Sequence, residues 1–140
     1  MFKMLVAEDD SLQIALYRSW MCDMLSEYPG MVVTMLSDGN DINCDLKSSV
    51  YDITVLDVAL PKKSGLDIYK ENSSKMGVIV LSSSYSDVFK SYLNADSKCI
   101  ILNKPCTKEQ FCVAIHKAME ALGHVKQGTA GSSEKLSIID

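Results

Sequence analysis

Ile53-Thr-Val-Leu-Asp57-Val-Ala-Leu-Pro61-Lys-Lys-Ser-Gly65-Leu-Asp67 is the stretch on which the fold turns. It opens as a short run of β-branched and aliphatic residues, the pattern of a strand buried on both faces. It stops at one carboxylate, Asp57. A loop follows, punctuated by Pro61 and Gly65, four and eight residues further on. A buried strand that delivers an unpaired Asp is costly. In parallel α/β sheets, the carboxyl end of a strand is where ligands bind. On this stretch alone, Asp57 is either the working end of the molecule or a residue that caps the next turn, a common use of Asp.

Working outward, residues 4–7 form a second apolar run that also stops at acid, Glu8-Asp9-Asp10, with Ser11 as the expected helix N-cap. Leu12, Ile14, Ala15, Leu16, Trp20, Met21, Met24 and Leu25 then recur at helical spacing until Tyr28-Pro29-Gly30. Residues 31–36 read as a strand closed by the turn Ser37-Asp38-Gly39-Asn40. Ile42, Leu46 and Val50 suggest a short helix over 41–50. After the Pro61–Gly65 loop, Leu66, Ile68 and Tyr69 suggest another. Residues 78–81 are a fourth strand ending in Ser82-Ser83-Ser84, and Val88, Phe89, Tyr92 and Leu93 mark a fourth helix starting near Ser86-Asp87. Residues 99–102 are a fifth strand ending at Asn103-Lys104-Pro105. Thr107-x-x-Gln110 is a capping box. It opens a fifth helix with Phe111, Ala114, Ile115, Ala118, Met119 and Leu122 on its apolar face, stopped by Gly123.

Five β-α repeats with strands apolar throughout imply an α/β fold, a five-stranded parallel sheet covered on both faces, doubly wound. Residues 1–123 make this single domain. From His124 the composition turns linker-like, and 124–140 are expected to be a flexible linker or tail, or to lead to an output domain outside this sequence.

The totals agree. The chain has 140 residues, 47% hydrophobic and 23% charged, as expected for one globular domain. Its net charge of −4 argues against nucleic-acid binding by this domain. Cys22, Cys44, Cys99, Cys106 and Cys112 contain no C-x-x-C pair and read as reduced, mostly buried thiols of a cytoplasmic protein. No run reaches membrane-spanning length. Trp20 and the helically spaced methionines read as core. His116 reads as a surface or packing histidine.

Parallel strands point their carboxyl ends the same way, so Glu8 and Asp9, Asp57, Ser82 and Lys104 are expected in one crevice. Three carboxylates there repel one another. A hard divalent cation relieves them, and an all-oxygen donor set suits Mg²⁺. Lys104 adds a compact positive charge and Ser82 a hydroxyl donor. A carboxylate among such groups is equipped to attack phosphorus and form an aspartyl phosphate.

At this point the chain resembles the receiver domains of response regulators in two-component signalling, over about residues 3–123. The resemblance rests on Glu8-Asp9, Asp57-x-x-x-Pro61-x-x-x-Gly65, Ser82 and Lys104-Pro105. It implies a flavodoxin-like (βα)5 fold with Asp57 as phosphoacceptor. Asp9 would hold Mg²⁺ directly and Glu8 through water, with the Ala59 backbone carbonyl completing the set. Lys104 would pair with phosphoryl oxygens, and its bond to Pro105 is commonly cis in the family. Ser82 would move to hydrogen-bond the phosphoryl group. The implied partner is a histidine kinase or a histidine phosphotransfer protein. A candidate homodimer would use the face of the fourth helix, fifth strand and fifth helix. The protein would be a phosphoacceptor with no separate turnover substrate, not an enzyme in the usual sense.

Departures from the family pattern are local. The position three before the lysine, usually aromatic, is Ile101, which has neither ring nor hydroxyl. Tyr85 either fills the space this leaves or covers the start of the fourth helix. The segment 94–100 is longer than the usual turn before the last strand. Ala59 and Ser84 occupy the positions that tune hydrolysis, and Ala59 cannot orient a water. A phospho-independent docking or dimerisation module is the alternative, with Ile101 in its favour. A dehalogenase-type phosphatase needs a second Asp where Ala59 stands, and no P-loop motif is present.

Overall fold

Apolar runs of five or six residues build the sheet, as their β-branched content favours. The computed structural model describes residues 2–83 and 99–123. Its strands are β1 (Phe2–Ala7), β2 (Met31–Leu36), β3 (Ile53–Asp57), β4 (Val78–Ser83) and β5 (Cys99–Asn103). They form one sheet in the order β2-β1-β3-β4-β5, with every pairing parallel. The expected doubly wound, flavodoxin-like α/β architecture is the one observed. The order reverses at β1, so the crevice for a ligand lies beyond the carboxyl ends of β1 and β3.

Side chains alternate between two buried clusters, one on each face. Met4 and Val6 of β1, Ile53 and Val55 of β3, and Val78 and Val80 of β4 face one cluster. There they meet Tyr17, Met21 and Met24 of α1 (Ser11–Leu25) and Phe111, Ala114, Ile115 and Ala118 of the helix Lys108–Ala121. Leu5, Ala7, Leu56, Ile79 and Leu81 face the other. That side is closed by Ile42 and Leu46 of α2 (Gly39–Leu46), Ile68 of α3 (Gly65–Asn72), and Met76 after a 3₁₀ turn at Ser73–Lys75.

Several expectations are corrected. Asp10, not Ser11, caps α1, its carboxylate accepting from the Leu12 N–H at 3.0 Å. A carboxylate two residues back reaches that orphan donor, and Ser11 becomes the first helical residue. Leu12 and Leu16 are exposed, 68% and 38%, whereas Tyr17 is fully buried. The helix is rotated so that its aromatic edge, not its leucines, faces the sheet. α2 begins at Gly39 inside the expected turn, because Asp38 accepts from the Asn40 and Asp41 N–H groups and caps it. Val50 is exposed and lies beyond α2. Cys22 and Cys44 are exposed, and Cys99, Cys106 and Cys112 are half-buried against the core clusters, so none is fully buried; none forms a disulfide.

The Thr107–Gln110 capping box forms in both directions, and Lys104–Pro105 is cis. Trp20 is half-buried against the core, while Met4, Met21, Met24, Met31, Met76 and Met119 are buried. His116 is half-buried, its Nδ1 2.5 Å from the Tyr28 hydroxyl and its Nε2 3.2 Å from Glu27. The expected fourth helix, Ser84, Tyr85, the longer segment up to Lys98, and the tail from His124 lie outside the described residues. No described helix is long and apolar enough to cross a membrane.

Candidate functional site

β3 ends on Asp57, which is 5% exposed. Register then decides its neighbours. Leu56 pairs with Ala7, so Glu8 emerges one residue beyond β1, and Asp57 pairs with Ser82 on β4. Ser82 in turn pairs with Leu102 on β5, two residues before Lys104. Four segments far apart in sequence thus meet at one edge of the sheet.

The loop after β3 is shaped to keep this edge. Gly65 donates its N–H to the Val58 carbonyl at 2.8 Å, folding the chain back. A Cβ on Gly65 would stand 2.0 Å from the Asp57 carbonyl oxygen, so only glycine fits. The Pro61 carbonyl accepts from Gly39, tying the loop to α2, and Lys62 at φ 68° pairs with Asp38 at 2.9 Å.

Glu8 is 1% exposed and Asp9 exposed. One oxygen from each of Glu8, Asp9 and Asp57 can be chosen so that all lie within 4.8 Å of one another. The Lys104 ammonium sits among them, 2.6 Å from Glu8 Oε1 and 3.3 Å from Asp57 Oδ2. The remaining oxygens have donors of their own. Glu8 Oε2 accepts from the Asp10 N–H and Asp57 Oδ1 from the Ala59 N–H, both at 3.2 Å.

These surroundings set the protonation. Burial, and then the Glu8 charge, push the Asp57 carboxyl up to about 6, against the opposing pull of Lys104. Burial alone would depress Lys104, yet the Glu8 and Asp57 carboxylates hold it above its ordinary value. Burial raises the Cys106 thiol too, with Lys104 opposing. At neutral pH this leaves an ionised Asp57 beside a protonated lysine.

The donor set fits a hard divalent cation: carboxylate oxygens in reach of one another, one of them exposed, and no soft ligand in the group. Glu8 is the carboxylate most committed to Lys104, which suits a ligand acting through water. Ala59 is exposed, two residues beyond Asp57.

All the residues singled out at the strand ends are brought to this edge. One neighbour was missed. Tyr17 of α1 places its hydroxyl 3.2 Å from Ser82 Oγ, and both side chains are fully buried. Burial pushes its phenol well above the ordinary range, against the smaller effect of the Ser82 bond. The available signal was a tyrosine set among apolar residues on the first helix, but helical spacing alone does not reveal a partner 65 residues away.

Comparison with known proteins gives the family and the fold. The family model for the response regulator receiver domain matches residues 4–116. The regulatory protein LuxO of two Vibrio vulnificus strains, YJ016 and CMCP6, is 25% identical over 94% of this chain. The match covers 31% of LuxO, so the chain spans about a third of these relatives' length. Among solved structures, the receiver domain of sensor histidine kinase PA1611 from Pseudomonas aeruginosa PAO1 superposes with a TM-score of 0.68 at 17% identity. The match covers 85% of this chain and 98% of that one, which holds a magnesium ion in its active-site cleft. Chemotaxis protein CheY4 of Vibrio cholerae gives 0.66 at 19% identity, covering 84% and 98%. These structures share the fold.

Proposed function

The chain belongs to the response regulator receiver domains of two-component signalling, and on that premise we propose that it is a phosphorylation-driven switch with Asp57 as phosphoacceptor. The observation that carries the reading is the cluster of three carboxylates, buried Glu8 and Asp57 with exposed Asp9, beside a Lys104 ammonium that Glu8 and Asp57 share. A merely structural Asp needs one partner, not two competing carboxylates and a shared lysine.

In this reading a phosphohistidine on a histidine kinase or histidine phosphotransfer protein is the donor. An Asp57 carboxylate oxygen attacks phosphorus. The new O–P bond forms as the donor's P–N bond breaks, and the electron pair stays on the imidazole. The Ala59 N–H donates to Asp57 Oδ1 at 3.2 Å and favours one orientation of the carboxylate. Lys104, already within 3.3 Å of Asp57 Oδ2, reaches the incoming phosphoryl oxygens. Ser82, the register partner of Asp57, supplies a hydroxyl donor. Asp9, Asp57 and the Ala59 carbonyl would hold Mg²⁺, with Glu8 acting through water. When bound, the ion neutralises charge on the transferring phosphoryl group.

Addition of about −1.5 to −2 charges to this corner biases the surrounding loops between two states. The protein is the substrate of its own phosphorylation, with no separate turnover substrate, and the reading places it in the cytoplasm. Residues 1–123 act as the receiver unit. A homodimer through the face of the fourth helix, fifth strand and fifth helix is part of the proposal. The phospho-independent docking module is favoured by Ile101 alone, and the intact ionic set opposes it.

The test is incubation with acetyl phosphate and Mg²⁺. Wild type takes up one phosphoryl group and Asp57→Asn takes up none. Equal labelling of both proteins, or of neither, sinks the reading.

A further inference from the structure

Ser82 and position 101 face opposite sides of the sheet. Ser82 pairs in register with Leu102, which belongs to the cluster under α1 and the helix Lys108–Ala121. Ile101 packs against the other cluster. A signal that starts at Ser82 therefore has its nearest described polar contact on the α1 side, where Tyr17 waits.

Tyr17 is well placed to pass it on. Its ring stacks on Phe111 with centroids 4.8 Å apart at 21°, and meets Trp20 edge-on at 5.9 Å and 61°. Trp20 and Phe111 are themselves 5.5 Å apart. One phenol thus links the phosphoryl corner to an aromatic group that joins α1 to the helix Lys108–Ala121. We propose that Tyr17 is a positioning residue for Ser82, and that it couples phosphoryl occupancy at Asp57 to the Trp20–Phe111 contact.

The hydrogen-bond count supports this. A serine hydroxyl has one proton to give and lone pairs to accept with. Either hydroxyl can give the shared proton, and the Tyr17 phenol is the stronger donor of the two. With Tyr17 donating, one lone pair of Ser82 is used and the serine's own proton is turned elsewhere. Among the described residues Ser82 Oγ has no second partner for that proton. A phosphoryl group on Asp57, the register partner of Ser82, supplies one. At 3.2 Å the Tyr17–Ser82 bond is long for O–H···O, so it shortens or turns as Ser82 engages. Ring packing carries that displacement to Trp20, since packed interiors transmit strain.

This inference rests on the phosphoacceptor reading, and two readouts separate their failures. Asp57 labelling is measured with acetyl phosphate. Affinity for the phosphoryl mimic beryllium fluoride, with Mg²⁺ present, is followed through the emission of Trp20, the one tryptophan in the chain, and independently by ¹⁹F NMR. Tyr17→Phe keeps the ring and its stacking but removes the hydroxyl. Its fold is checked by circular dichroism.

The expected result is a wild type that labels at Asp57 and changes Trp20 emission with the mimic. Tyr17→Phe should bind the mimic roughly five-fold more weakly, the worth of one hydrogen bond, and lose most of the emission change. In a Ser82→Ala background, adding Tyr17→Phe should cost nothing more. A labelled wild type with unchanged emission overturns the inference alone. So does a Tyr17→Phe variant with wild-type affinity or response. A wild type that takes no label removes the phosphoacceptor reading and this inference with it.

Discussion

At the amino end of the central strands, polar groups close on one another; at the carboxyl end they crowd. Asp52, just before β3, takes the Lys3 N–H on its carboxylate at 2.8 Å and gives its own N–H to the Lys3 carbonyl at 2.9 Å. Its carbonyl accepts from Val78, and Thr54 donates to the Met76 carbonyl, each at 2.9 Å. At the other end, Glu8 and Asp57 share one ammonium, with the Asp9 carboxylate beside them. The first arrangement pairs its polar groups with one another. The second holds charge in readiness and carries an electrostatic cost. Substitutions at the amino end should therefore change stability without chemistry, and those at the carboxyl end should change both in linked ways.

The sharpest way to break this contrast is Lys104→Ala. Glu8, 1% exposed, would lose its cation and Asp57 its neighbour. A loss of about 3–5 kcal/mol is expected in urea unfolding. Adding Asp57→Asn removes one of the crowded charges and should return part of that loss. If the two changes simply add, the carboxyl end is not the coupled cluster described here.

Gly77→Ala probes the amino end. Gly77 has φ +65°, and a Cβ there would lie 2.1 Å from the Asp52 carbonyl oxygen. About 1–3 kcal/mol should be lost, with Asp57 labelling intact in the folded protein. A labelling defect would mean the two ends are not separable.

Ala59→Asn is the mildest. Ala59 is exposed, so stability should stay within about 0.5 kcal/mol. A carboxamide beside Asp57 can orient a water, and the phosphoryl group should be lost roughly five-fold faster, one hydrogen bond's worth. An unchanged decay rate would show that this position does not govern lifetime.

The carboxyl-end residues were legible in the sequence because each interrupts an apolar run: Glu8 after β1, Asp57 closing β3, Ser82 within β4, Lys104 after β5. A buried strand that ends in charge announces its own function. The sheet was legible for the same reason. Tyr17 was not, because its role depends on the rotation of α1 about its axis. The apolar spacing of Leu12 and Leu16 pointed to the wrong edge of that helix. The start of α2 was hidden by turn chemistry: Ser37-Asp38-Gly39-Asn40 reads equally as a turn or as a capped first turn of helix. The cysteines misled because composition reports a compartment, not a position in the packing.

The central claim is that Asp57, and no other carboxylate of the cluster, becomes the acyl phosphate. Borohydride reduces an aspartyl phosphate to homoserine, which peptide mass spectrometry locates directly. After treatment with acetyl phosphate and Mg²⁺, homoserine at position 57 alone is the predicted result. Its absence, or conversion of Asp9 in place of Asp57, would contradict the account.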